Sequence, residues 1–140
     1  MTQAPLMDRI HITEDYDVPR VINGGWQLSA GHALERPLDL ADASRAFNRL
    51  IDMGFDTFDC ADIYTGVEDF FGGIIRERRK AGLRLPQIHT KFVPDLNDLA
   101  NVTPAYIENI ITRSLRRLGV ERLDAVQFHW WDYSVPGMVD

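Results

Sequence analysis

The chain has 140 residues, 45% of them apolar, and 21 acidic against 15 basic side chains, a net charge of -6. That composition describes a globular domain with enough apolar matter for a core, and it lacks the basic surplus that phosphate neutralisation in nucleic-acid binding requires. A single cysteine, Cys60, excludes an internal disulfide framework and a cysteine-rich zinc site; no apolar run approaches the roughly 20 residues of a membrane span, and Met1 to Arg20 carry Asp8, Glu14, Asp15 and Asp17 in place of an apolar signal region, so a cytoplasmic protein with no metal site is expected.

Arg9 to Thr13 alternates, meets the acidic turn Glu14-Asp15-Tyr16-Asp17, and continues as Val18 to Ile22, the pattern of a short hairpin with Pro19 tolerable only near an edge. Gly24-Gly25-Trp26-Gln27 ends the next apolar strand. From Leu40 the period becomes helical, with Ala43, Ala46, Phe47, Leu50 and Ile51 on one face, Asp39 as N-cap and Gly54 as the stop. Phe55 to Ala61 reads as a strand. Glu68 and Asp69 open a second helix with Phe70, Phe71, Ile74 and Ile75 on its apolar face, basic residues in its last turns and Gly82 beyond them. Gly72-Gly73 inside that helix predicts a close approach of the helix to the sheet. Gln87 to Phe92 is a strand stopped by Pro94, and Asp95 to Asn101 reads as a polar loop. Thr103-Pro104 caps a third helix with the stripe Ile107, Ile110, Ile111, Leu115 and Leu118. Leu123 to His129 is the last strand. Strand starts at Phe55, Gln87 and Leu123 recur at the spacing of repeated βα units, which predicts parallel strands with right-handed helical crossovers.

Alternation along these strands separates two faces. Phe58, Ile88, Thr90, Phe92, Val126 and Phe128 point to the side that helices must cover. On the opposite face three successive strands end in Asp59, Lys91 and His129. A charge at one strand end is commonly a side chain leaving the core, but three aligned ionisable groups at C-terminal strand ends lie where α/β folds place their ligands. Cys60 points to the helix side as a small buried residue. His89 lies on the inner face as filling, and His11 and His32 carry no partner signal. No GxGxxG sequence is present, so a Rossmann cofactor site has no support.

Asp59 continues into Cys60-Ala61-Asp62-Ile63-Tyr64, which lets Tyr64 fold back above the same strand. Here the chain resembles the aldo-keto reductases. Gly54-Phe55-Asp56-Thr57-Phe58-Asp59-Cys60-Ala61-Asp62-Ile63-Tyr64, followed by Glu68 and Gly72, is similar to that family's second strand and first catalytic loop. Thr90-Lys91 and Phe128-His129-Trp130 match the ends of its third and fourth strands, Ser114 to Asp124 its lead into the fourth, and Gly25-Trp26-Gln27 the end of its first. Asp56 and Trp131-Asp132-Tyr133 depart from the usual pattern, and a change in the substrate loop is expected from them.

The resemblance covers essentially the whole chain and implies a TIM (β/α)8-barrel fold, of which residues 1–140 supply about the first four strands and three helices behind a hairpin that caps the barrel bottom. Complete barrels run to about 250 residues. On this reading Met1 is a natural start, Asp140 a cut after strand four, and the exposed edges of a half barrel invite self-association. The implied activity is NADP(H)-dependent interconversion of a small aldehyde or ketone and an alcohol. The implied catalytic residues are Asp59, Tyr64, Lys91 and His129. Gly25, Trp26 and Asp59 are implied at the cofactor, and Trp26 and Trp130 at the substrate, with ordinary aromatic packing as the alternative for both tryptophans.

The chemistry fits those residue types. A carbonyl needs a hydride on carbon, which no side chain donates, and a proton on oxygen from a positioned acid. By resemblance that acid is Tyr64. A cation about 4 Å from a phenolate at an effective dielectric near 20 stabilises it by about 4 kcal/mol. Lys91 would be that cation, Asp59 would hold it, and His129 would orient the carbonyl. A non-catalytic regulatory or binding subunit of the same fold, of the potassium-channel β-subunit kind, is the competing role.

Overall fold

The computed structural model describes residues 7–30 and 37–139; His32 and the chain ends Met1 and Asp140 lie outside them. Strands β1 (Arg9–Thr13) and β2 (Tyr16–Pro19) form an antiparallel hairpin with Arg9 opposite Pro19. A second sheet contains β3 (Asn23–Gly24), β4 (Thr57–Asp59), β5 (Gln87–Phe92) and β6 (Ala125–Phe128), all parallel and in the spatial order β3-β4-β5-β6. Helices α1 (Leu40–Asp52), α2 (Val67–Lys80) and α3 (Pro104–Leu118) provide the crossovers.

The local signals act as their chemistry requires. The Asp39 side chain accepts from the Asp42 N–H at 3.0 Å, and the Thr103 hydroxyl accepts from the Tyr106 N–H at 3.2 Å. The strands are shorter than the apolar runs that carry them. The hairpin's second strand is Tyr16–Pro19 where Val18 to Ile22 is expected, and β4 and β6 occupy only the middle of Phe55 to Ala61 and Leu123 to His129. Strand length is set by how far neighbours overlap, and β3, two residues long, pairs only Asn23 with Phe58 and Gly24 with Asp59. The expected loop at 95–101 contains a 3-10 turn, Leu96–Asn101, that buries Leu99.

Ile51, Phe58, Cys60, Val67, Phe71, Ile74, Ile75, Ile88 and Leu118 form the core between the sheet and the helices. Phe58 and Phe71 stack at 5.3 Å, and Phe47 meets both edge-on. Cys60 belongs to this core, and burial pushes its thiol up to about 12. Gly72 serves helix–helix packing, not the helix–sheet approach expected: a Cβ there would sit 2.1 Å from the Arg117 carbonyl oxygen of α3. The outward face of β6 also departs from expectation. Val126 and Phe128 remain 45% and 47% exposed, because α3 packs on α2 and β5 and no helix follows β6 among the described residues.

Asp56 ties the hairpin to the sheet. It is buried at the N-terminal end of β4, accepts from Arg9 Nη1 at 2.8 Å and pairs with Arg84; Arg9 Nε in turn bonds Asp17 at 2.6 Å. It therefore sits at the end of the strand opposite to Tyr64 and contributes nothing to a substrate loop.

Above the hairpin, Tyr16 Oη and His89 Nε2 lie 2.8 Å apart. Burial holds the His89 imidazole below its ordinary value of 6.5, joined by Lys91 and opposed by Asp124 and Asp59. The unfolded chain then takes up the proton first as pH falls. The stability from a neutral His89 is fully present above about 6.5 and declines as pH drops from there toward the folded value. Asp62 and Asp124, raised above 3.8 chiefly by burial, carry the opposite sign: their contribution is present below 3.8 and lost as pH rises through their folded values. A His89→Gln variant is expected to show a flatter loss of urea midpoint than the parent between about pH 7 and 5.5. An identical slope for the two chains would remove His89 as its source.

Candidate active site

Parallel pairing aligns the C-terminal ends of β3 to β6 along one rim. Asp59 ends β4 opposite Gly24 on one side and His89 on the other, and Lys91 lies opposite Gln127. Lys91 Nζ reaches both Asp59 carboxylate oxygens at 2.7 Å and the Cys60 carbonyl at 2.8 Å. Three acceptors around one ammonium match its three donors. The Asp59 side chain is still 31% exposed, so the pair faces the rim.

Residues 60–66 turn back over this pair. The Tyr64 N–H donates to the Ala61 carbonyl at 3.1 Å, and the Val67 N–H to the Tyr64 carbonyl at 3.0 Å, a tight turn leading into α2. It brings the Tyr64 ring to Lys91, with Nζ 5.2 Å from the ring centroid. Asp59, Lys91 and Tyr64 are thus one assembly.

His129 directly follows β6, two residues beyond Gln127, the partner of Lys91 in the sheet, and its ring contact is with Trp131 and not with Lys91 or Tyr64. Its N–H donates to the Phe92 carbonyl at 3.0 Å, and its ring meets Trp131 edge-on at 4.5 Å. Trp131 Nε1 donates to the Pro94 carbonyl at 2.8 Å. Trp131, Ile63, Pro94, Asp95 and Leu96 line a recess of about 330 Å³ beside the Tyr64 loop.

Of the remaining sequence candidates, Gly25 donates its N–H to the Asp59 carbonyl at 2.8 Å, and a Cβ there would come within 3.0 Å of that oxygen, Phe71 and Val67. Gly25 accordingly allows β3 to close on β4. Trp26 begins a 3-10 turn after β3 and is 47% exposed at the rim. Trp130 is not brought to the assembly. It is 5% exposed, packs edge-on against Phe128 and donates its indole N–H to the Val135 carbonyl at 3.1 Å.

A buried polar group behind the Tyr64 loop escaped the sequence reading. Asp62 and Glu68 are both buried. Burial raises the Asp62 carboxyl, opposed by its bonds from the Val93 N–H and Arg113. The spacing of Asp62 and Glu68 around Tyr64 was the available signal, but their partners lie on β5 and α3.

The sequence profile of the aldo/keto reductase family matches residues 20–139. Among solved structures, the chain is similar to a Pseudomonas aeruginosa protein assigned to the aldo-keto reductases, with 21% identity and a TM-score of 0.70 over 91% of this chain and 49% of that one. It is also similar to a thermostable aldo-keto reductase solved with the inhibitor epalrestat, at 21% identity and a TM-score of 0.69 over 93% of this chain and 45% of that one. A Bombyx mori aldo-keto reductase in complex with NADP shows 23% identity and a TM-score of 0.67 over 89% and 38%. At these identities the structural likeness establishes the TIM-barrel type of fold, and the chain spans about half or less of the length of the structures it matches.

Proposed function

Because the chain belongs to the aldo/keto reductase family, we propose that it carries the catalytic half of an NADP(H)-dependent oxidoreductase interconverting an aldehyde or ketone and an alcohol. The observation that carries this reading is the Lys91–Asp59 pair at 2.7 Å with the Tyr64 ring against its ammonium. The Bombyx mori aldo-keto reductase to which the chain is similar is solved in complex with NADP. The rim suits the ring end of such a cofactor: Trp26, half-exposed, follows β3 there, and the Asp59 side chain at the end of the neighbouring β4 is part-exposed. When bound, the nicotinamide supplies or takes the hydride.

Tyr64 gives its hydroxyl proton to the carbonyl oxygen as that oxygen gains charge. Lys91 stabilises the phenolate left behind, and Asp59 fixes the ammonium in place. His129 donates to the same oxygen and orients it. The recess beside Ile63, Leu96 and Trp131 takes the apolar part of the substrate. These groups act as one electrostatic unit, so their single substitutions are not additive.

The 140 residues alone are expected to hold the reacting groups without turning over. Barrel phosphate sites come from the loops after strands seven and eight, and among the described residues β3 and β6 are open edges that favour pairing with another chain. NADPH titration into the purified chain, followed by fluorescence, is expected to show no micromolar binding, and 4-nitrobenzaldehyde no turnover. The same residues within a complete barrel are expected to bind and turn over. Binding with repeated turnover by the isolated chain would show that this half suffices. A complete barrel that binds NADPH yet reduces no carbonyl would mark a binding subunit.

A further inference from the structure

Three residues of β5 and its exit, Thr90, Lys91 and Val93, each hold a residue of the segment that carries Tyr64. The Thr90 hydroxyl donates to Glu68 Oε1 at 2.7 Å, the Lys91 carbonyl accepts from the Asp62 N–H at 3.1 Å, and the Val93 N–H donates to Asp62 Oδ1 at 3.0 Å. Two arginines of α3 complete the arrangement. Arg113 Nη2 donates to Asp62 Oδ2 at 2.9 Å. Arg117 Nη1 touches both ends of the segment, the Asp62 carbonyl at 3.0 Å and Glu68 Oε2 at 3.2 Å.

We propose that Arg117 is a positioning residue for Tyr64: by tying the Asp62 carbonyl to the Glu68 carboxylate, it sets how far the Tyr64 ring stands from the Lys91 ammonium. The segment between these two ties is short and already turned by the Tyr64 and Val67 N–H bonds. Its remaining freedom is a hinge of the whole turn away from β5. Arg117 closes that hinge from α3. Loss of the cation leaves the buried Glu68 carboxylate with the Thr90 hydroxyl but no charged partner, takes one donor from the Asp62 carbonyl, and favours an open, hydrated turn. The inference rests on reading Tyr64 as the acid and Lys91 as its neighbour, but its test reads geometry in the chain itself and is independent of turnover.

The test is NMR of the chain with Arg117→Met, with Arg78→Met as control. Arg78 is an equally structural arginine, bonded to Asp52, Asn48 and the Arg84 carbonyl, and has no contact with the 60–66 turn among its hydrogen bonds. Arg117→Met is expected to weaken the cross-peak between the Tyr64 ring and the Lys91 side chain several-fold. It should also speed amide exchange at Asp62, Tyr64 and Val67 by roughly tenfold or more, the signature of a local opening. Arg78→Met is expected to lower the thermal midpoint and leave both signals at the parent's values. Arg117→Lys keeps a cation and an aliphatic stem and is expected to restore part of the cross-peak. If Arg117→Met does not fold, Arg117→Gln, with one neutral donor, carries the same expectation. An unchanged Tyr64–Lys91 cross-peak in the Arg117 variants, or an equal loss in Arg78→Met, overturns the proposal.

Discussion

Within a complete barrel, if Tyr64 is the acid as proposed, Tyr64→Phe is expected to lower carbonyl turnover by about 10² or more, the size associated with removing a general acid, and to leave NADPH affinity near the parent's. The substitution deletes one hydroxyl and keeps the ring that lies 5.2 Å from Lys91 Nζ. The ammonium therefore keeps its aromatic neighbour and its three oxygen partners. Substrate saturation should change little, because the hydroxyl contributes most where charge develops on the carbonyl oxygen. Steady-state rates with 4-nitrobenzaldehyde and a fluorescence titration of NADPH separate these effects. Retention of most of the rate together with weaker cofactor binding would remove Tyr64 as the acid.

Gly72→Ala is expected to destabilise the fold by about 2 kcal/mol, within the range for overpacking, although alanine is the better helix former by about 1 kcal/mol. The new methyl would lie 2.1 Å from the Arg117 carbonyl oxygen, with the Arg117 and Leu118 carbonyl carbons at 3.2 Å. These are backbone atoms of α3, so relief requires the two helices to part. Gly73→Ala is the matched control. Its nearest neighbour is the flexible end of Arg76 at 3.9 Å, and the helix gains roughly 0.5–1 kcal/mol from the lost glycine. Urea unfolding of the two variants should therefore move in opposite directions. A Gly72→Ala chain as stable as the parent would mean that the α2–α3 contact is looser than it stands here.

Much of this molecule is legible in local chemistry. Caps at Asp39 and Thr103 and the strand Gln87–Phe92 occur where residue types and period place them, because an N-cap needs only its own next turn and alternation only its own strand. Asp59 and Lys91 were readable as neighbours for a related reason. Parallel strands joined by similar crossovers bring equivalent ends together, and alternation puts both side chains on one face. Tyr64 follows Asp59 by five residues, a turn's length, so its return over the pair is a short-range event.

What lay beyond the sequence depended on partners distant along the chain. Glycine at position 72 announced a close approach, but nothing local distinguished a sheet from a helix as the surface approached; the carbonyl of Arg117 decides it. Trp130 and Trp131 are adjacent aromatic residues of similar propensity. Tertiary packing alone turns the first into the Phe128 side and sets the second against His129. Val126 and Phe128 read as covered core positions, yet coverage belongs to a neighbouring element and not to the strand. Nothing local marks Asp62 or Glu68 as buried; Arg113 and Val93 reach the Asp62 carboxylate, and Thr90 and Arg117 the Glu68 carboxylate, from other parts of the chain. The sequence by itself determined the order of elements and the faces of the central strands, because these follow from backbone periodicity and short-range hydrogen bonding. The tertiary structure decided which buried charges are neutralised and by what, because Coulomb attraction and close packing depend on distances that no local pattern contains.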